Sequence, residues 1–157
     1  MLEKFIEAFK SPVVNIFEQE ANLDVKVQEA FYKERMFSSY NLSVIIGLSG
    51  ETIQGISVLS LNLDIAKKTI AKITEREEQD ELDELGRDCL GELTNIIVGN
   101  ATINLYEEGI KVSSTPPTLV VGNEITLTIR NVPKVGVIPF ELPYGNAEIN
   151  LAVAELK

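Results

Sequence analysis

The stretch that decides the fold runs Asp83-Glu84-Leu85-Gly86-Arg87-Asp88-Cys89-Leu90-Gly91-Glu92-Leu93-Thr94-Asn95-Ile96-Ile97-Val98-Gly99-Asn100-Ala101. Advanced at about 100° per residue, Leu82, Leu85, Cys89, Leu93, Ile96 and Ile103 fall on one side of a helix. Leu90, Ile97 and Ala101 widen that apolar surface. The spacing predicts a long helix from Glu81 to about Tyr106, closed by Gly109 and buried over most of its circumference. One narrow stripe escapes: Asp88, Glu92, Asn95, Gly99 and Thr102, at steps of four, three, four and three, which stack on one face. Gly91 borders it. A glycine inside a helix costs about 1 kcal/mol relative to alanine. Gly91 and Gly99 therefore read as keeping the surface low for a close visitor; the plainer reading is that they relieve crowding inside the fold.

Upstream, Leu2, Phe5, Ile6 and Phe9, then Val13, Ile16 and Phe17, carry helical spacing. Pro12 after Ser11 marks either a kink or a new helix start, and the sequence leaves both open. Asn22 ends this helix, and Val25 to Val27 begins an extended segment. Leu42 to Leu48 and Thr52 to Leu61 read as a hairpin turned at Ser49-Gly50. A second helix spans Asp64 to Ile73. Downstream of Gly109 the chain reads as strands: Ile110 to Ser114, Thr118 to Val121, the alternating Ile125, Leu127 and Ile129, Val135 to Leu142, and Ala147 to Leu156. Pro116-Pro117 excludes a central strand there. The expected fold is α+β, with helices packed on an antiparallel β-sheet and one long helix carrying the active-site face. No linker divides the 157 residues, so residues 1–157 are expected to form a single domain.

Composition narrows the chemistry. A formal net charge of −10 argues against nucleic acid or an anionic membrane as partner. Cys89 is the only cysteine, which rules out an intrachain disulfide and suggests a reducing compartment. Met1 to Lys10 lacks the form of a secretory signal, and no run approaches the roughly 18 apolar residues of a membrane span. A cytoplasmic location is expected. With no histidine, Ser-His-Asp and Cys-His activation and the common zinc sites are excluded. No G-x-x-x-x-G-K-[ST] phosphate loop occurs. Catalysis must come from carboxylates, amides or hydroxyls.

Glu92-x-x-Asn95, within Gly91-Glu92-Leu93-Thr94-Asn95-Ile96-Ile97-Val98-Gly99-Asn100-Ala101, resembles the signature helix of the CheC/CheX/FliY chemotaxis phosphatases. The hairpin at Ile46 to Gly50 with Gly55, the acidic lead-in Asp80 to Glu84, and Pro116-Pro117-Thr118 with Gly122 extend the resemblance over most of the chain. Among all glutamates, only Glu92 has an asparagine three residues on. In the N-terminal helix Glu7 is followed at that step by Lys10. One such helix is similar to the CheX-type members, whereas CheC-type members carry two.

The resemblance implies a phosphatase that hydrolyses the aspartyl phosphate of a CheY-like response regulator. Glu92 and Asn95 are its expected catalytic pair, Asn95 orienting water and Glu92 pairing with the receiver's lysine. Asp88, Gly91 and Gly99 are expected to help dock the partner. No metal or cofactor of its own is expected, Mg²⁺ residing in the receiver, and family members suggest a homodimer. The competing class is a non-enzymatic adaptor docking through the same helix; a hydrolase built on paired carboxylates is more distant. Asn100, on the apolar side of the helix, is expected to be a buried structural amide. Cys89 reads as a small core residue. The acids from Glu75 to Asp83 lack the spacing of a calcium loop and read as charge at a helix start.

Overall fold

The computed structural model describes residues 1–132 and 134–156; the expected span 1–157 includes Pro133 and Lys157, which lie outside the described residues. In chain order the elements are α1 (Leu2–Ala21), β1 (Lys26–Val27), β2 (Phe31–Lys33), β3 (Met36–Ser38), β4 (Leu42–Ser49), β5 (Ile53–Leu61), α2 (Leu63–Thr74), α3 (Glu84–Glu107), β6 (Ser113–Ser114), β7 (Thr118–Val121), β8 (Ile125–Leu127), β9 (Val135–Leu142) and β10 (Gly145–Glu155).

The fold is α+β. Antiparallel strands run in the order β1-β9-β10-β5-β4-β6, with β2 also on β9 and β7 also on β4, while β3 and β8 form a separate pair. Alternation along β10 sorts its residues. Ala147, Ile149, Leu151 and Val153 face the main core, and Ala152 belongs to a smaller cluster with Met36, Val58, Val135 and Val137. Strands covered on both faces read as continuous apolar runs, as Val135 to Phe140 of β9 and Leu151 to Ala154 of β10 do. The main core joins the sheet to all three helices, through Phe5, Phe9, Phe17, Leu90, Ile97 and Phe140 among others. Phe17 and Phe140 meet with ring centroids 5.6 Å apart.

α1 runs unbroken through Pro12, which settles the alternative the sequence left open. Proline lacks the N–H that would reach the carbonyl four residues earlier, here that of Ala8. Asn104 on α3 takes over: its Nδ2 donates to the Ala8 carbonyl at 2.9 Å. That bond restores the satisfaction the helix lost and ties α3 to α1. Asn22 closes α1 in the left-handed region at φ 51°, a conformation asparagine tolerates.

Several boundaries differ from expectation. α3 begins at Glu84 rather than Glu81, because the Asp83 side chain caps it by accepting from the Gly86 N–H at 2.8 Å. Only Ser113–Ser114 of the Ile110 to Ser114 run pairs as a strand, and Ile110 instead joins the core. Ile129 lies outside β8. The strands β2 and β3 carry too few residues for period-two alternation to reveal them.

Candidate functional site

α3 lies with α1 against one flank and the Pro117–Leu119 segment against the other. Its buried side comprises Gly86, Leu90, Gly91, Leu93, Thr94, Ile97, Val98, Ala101 and Leu105. The expected burial over most of the circumference is therefore corrected. Leu85 is 51% exposed, Ile103 58% and Tyr106 69%, so apolar residues share the open arc with the polar ones. A helical wheel gives the angle of each residue but not which angle the sheet occupies.

On that arc Glu92 and Asp88 are exposed, while Asn95, Gly99 and Thr102 are half-buried. Glu92 and Asn95 lie one turn apart, about 4.5 Å along the axis. Neither side chain makes a hydrogen bond or ion pair with another described residue, whereas Thr94, Asn100 and Thr102 bond back to carbonyls of their own helix. The Glu92 carboxylate and the Asn95 amide thus keep their bonding capacity for something outside the chain. The helix beneath them is fixed by its cap, by Asn104 and by a buried face at or below 2% exposure at Leu90, Leu93, Ile97, Val98, Ala101 and Leu105.

The two glycines separate. A Cβ on Gly99 would meet nothing within 4 Å, so the backbone there is open to a visitor. A Cβ on Gly91 would sit 3.3 Å from Pro117 Cγ and 3.8 Å from Leu119 Cδ1, and the residue is buried. Gly91 is corrected from a docking position to one that lets the protein's own Pro117 pack on α3. Asn100 is corrected as well: it is exposed, and its Nδ2 donates to the Ile96 carbonyl at 2.9 Å. The amide that ties α3 to neighbouring backbone is Asn104, whose partner lies too far along the chain for any local spacing to signal it.

Cys89 is half-buried, and burial pushes its thiol up, away from thiolate chemistry. Among the described residues no group of three or more His, Cys, Asp or Glu is placed to hold a metal ion. Several of the acids before α3 are engaged otherwise. Asp83 caps the helix and pairs with Arg76 at 3.3 Å, Glu78 pairs with Lys68, and the Asp80 carbonyl accepts from Lys67. A groove of about 420 Å³ between α1 and α3 is lined by Glu3, Glu7, Glu107 and Glu108 with Lys4 and Asn104, a setting that would repel a phosphate. Glu92 and Asn95 do not line it. They stand on an open helix face outside that groove, which suits a site completed by a second macromolecule better than a pocket for a small substrate.

The chain is 32% identical over 88 residues to the CheY-P phosphatase CheX of Thermotoga maritima, a match covering 56% of this chain and 56% of that protein. It spans about half the length of this curated relative. The crystal structure of a CheC-like superfamily protein from Shewanella sp. PV-4 superposes with a TM-score of 0.85 at 25% identity, covering 96% of this chain and 97% of that one. The CheX-CheY-BeF3-Mg²⁺ complex from Borrelia burgdorferi matches with a TM-score of 0.79 at 25% identity, over 96% and 98% of the two chains. The family described as Chemotaxis phosphatase CheX matches residues 42–141, more than half of the chain, from the start of β4 through α3 and into β9. With this match taking in the α3 face that bears Glu92 and Asn95, the chain belongs to the CheX family of chemotaxis phosphatases.

Proposed function

We propose that this protein hydrolyses the aspartyl phosphate of a phosphorylated CheY-like receiver, with Asn95 orienting the attacking water and Glu92 engaging the receiver's lysine. The observation that carries the reading is the unbonded amide and carboxylate one turn apart on an open, rigidly held helix face. Membership in the CheX family and the likeness to a CheX-CheY complex support it.

In this reading α3 approaches the receiver's phosphorylated aspartate, and Gly99 and Asp88 lie within the contact. The Asn95 carboxamide accepts a hydrogen bond from water and holds it in line with the phosphorus. The new P–O bond forms as the bond to the aspartyl oxygen breaks. The receiver's carboxylate leaves with the electron pair, and inorganic phosphate is released. An amide suits the position because it donates and accepts without adding negative charge beside the phosphoryl oxygens. Mg²⁺ and the lysine that neutralise those oxygens are supplied by the receiver. Placing one water is worth about 10²-fold, or roughly 2.7 kcal/mol of barrier. That is sufficient for an acyl phosphate, which is already labile.

Phosphoryl lifetime in a receiver tests the reading. Wild-type protein shortens it, while Asn95→Ala and Glu92→Ala retain the native circular dichroism and lose the acceleration. An adaptor would bind the receiver through the same helix and leave the lifetime unchanged in every variant. No described helix is long and apolar enough to cross a membrane, and a cytoplasmic location is part of this proposal. A homodimer is proposed too, on the exposed Phe31 and Tyr32 of β2 near one sheet edge. A sedimentation mass of 17.3 kDa at all concentrations would remove it.

A further inference from the structure

We infer that Leu85 and Ile103 are docking residues for the phosphorylated receiver, gripping apolar surface on either side of the site that Glu92 and Asn95 enter; this rests on the phosphatase reading above. Both side chains are more than half exposed, at 51% and 58%. At 100° per residue both project about 20° from Glu92, so they share its outward direction. Position 94, midway between them, falls between Glu92 and Asn95. Along the axis Leu85 and Ile103 are about 27 Å apart.

That separation matches the size of a protein interface. A partner that buries about 800 Å² on one side covers a patch roughly 32 Å across. A receiver centred on Glu92 and Asn95 therefore covers both residues. Between them the arc carries half-buried Ile96 and the unobstructed Gly99, so nothing on this side holds the partner away. The exposed aliphatic residues offer a partner apolar area to bury, and the polar pair between them directs its orientation. The carboxylates of Asp88 and Glu92 add a negative centre to which the receiver's lysine and Mg²⁺ are complementary. The occupant this selects is a receiver with cationic character at its phosphorylation site and apolar surface flanking it. Tyr106, 69% exposed and about 5 Å further along the axis, lies at the rim of the same patch.

The test is single-turnover decay of a CheY-like receiver charged with a small-molecule acyl phosphate, with this protein in excess, for wild type, Leu85→Ser, Ile103→Ser and Phe37→Ser. Phe37 is an exposed apolar control in β3, whose neighbour Met36 packs in the smaller cluster away from the helices. The expected result is a half-saturating concentration raised about tenfold in each α3 variant. The rate at saturation stays within about twofold, and Phe37→Ser and all melting temperatures are unchanged. A half-saturating concentration unchanged in both α3 variants overturns the inference. So does a change of oligomeric state in those variants, which would assign the face to a second copy of this chain. If wild-type protein does not accelerate decay at all, the phosphatase reading fails. Titration of the same variants against the BeF3-activated receiver then decides the docking claim by itself, weakened binding supporting it and unchanged binding overturning it.

Discussion

Gly99 and Gly91 lie on one helix, two turns apart, yet replacing them has opposite consequences. Gly99→Ala meets no neighbour and improves helix propensity, so it should stabilise the fold by about 0.5–1 kcal/mol. Gly99→Phe should fold equally well and raise the half-saturating concentration for receiver dephosphorylation, because the new ring stands where the partner approaches. Gly91→Leu forces side-chain atoms into Pro117 and should lower stability by about 1–3 kcal/mol in a urea melt. Phosphoryl decay assays beside those melts separate the two positions. That Glu92 and Asn95 share one open helix face was legible in the sequence, because their spacing and the polar stripe around them are local pattern. Gly91 was not: its role comes from Pro117, and a helical wheel carries no record of what faces each angle.

Among elements, the joint between α1 and α3 is the least legible feature and one of the most testable. The Ala8 carbonyl loses its helical donor to Pro12 and regains one from Asn104, 96 residues along the chain. Asn104→Ala should cost about 1–2 kcal/mol by leaving that carbonyl without a partner. In a Pro12→Ala background the backbone gains an N–H at position 12, and the same change should cost less than half as much. A double-mutant cycle in urea reads the coupling. At the other end of α3, the Gly86 N–H and then Arg76 hold the Asp83 carboxyl below its ordinary value of 3.8. A depressed folded pKa means the cap's contribution is present above the unfolded pKa and lost as pH falls through the folded one. Asp83→Ala should therefore lower the melting temperature at pH 7, and its difference from wild type should shrink progressively below pH 3.8. The cap residue moved the start of α3 to Glu84, a boundary apolar periodicity does not encode.

For the whole molecule, long elements were readable and short ones were not. β4, β5, β9 and β10 announce themselves by apolar runs bounded by turn residues, and they make the centre of the sheet. β2 and β3 are three residues each and owe their conformation to partners β9 and β8. The same limit applied to α3, where the apolar residues Leu85 and Ile103 were assigned to the interior and in fact lie outside. Their exposure changes the picture of the molecule from a catalytic stripe on a buried rod to a broad face with polar groups at its centre. In the proposed mechanism the sheet and α1 hold that face still, because a misplacement of about 1 Å would cost much of the effect of placing a water.

The most direct measurement is the rate of phosphoryl loss from a CheY-like receiver at saturating concentrations of wild-type protein and of Asn95→Ala. Saturation removes any difference in docking, so the ratio reports only what the amide does to the reaction. The account predicts a loss of about 10²-fold in the Asn95→Ala rate, with binding to the BeF3-activated receiver held within a few-fold. Equal rates at saturation would contradict it.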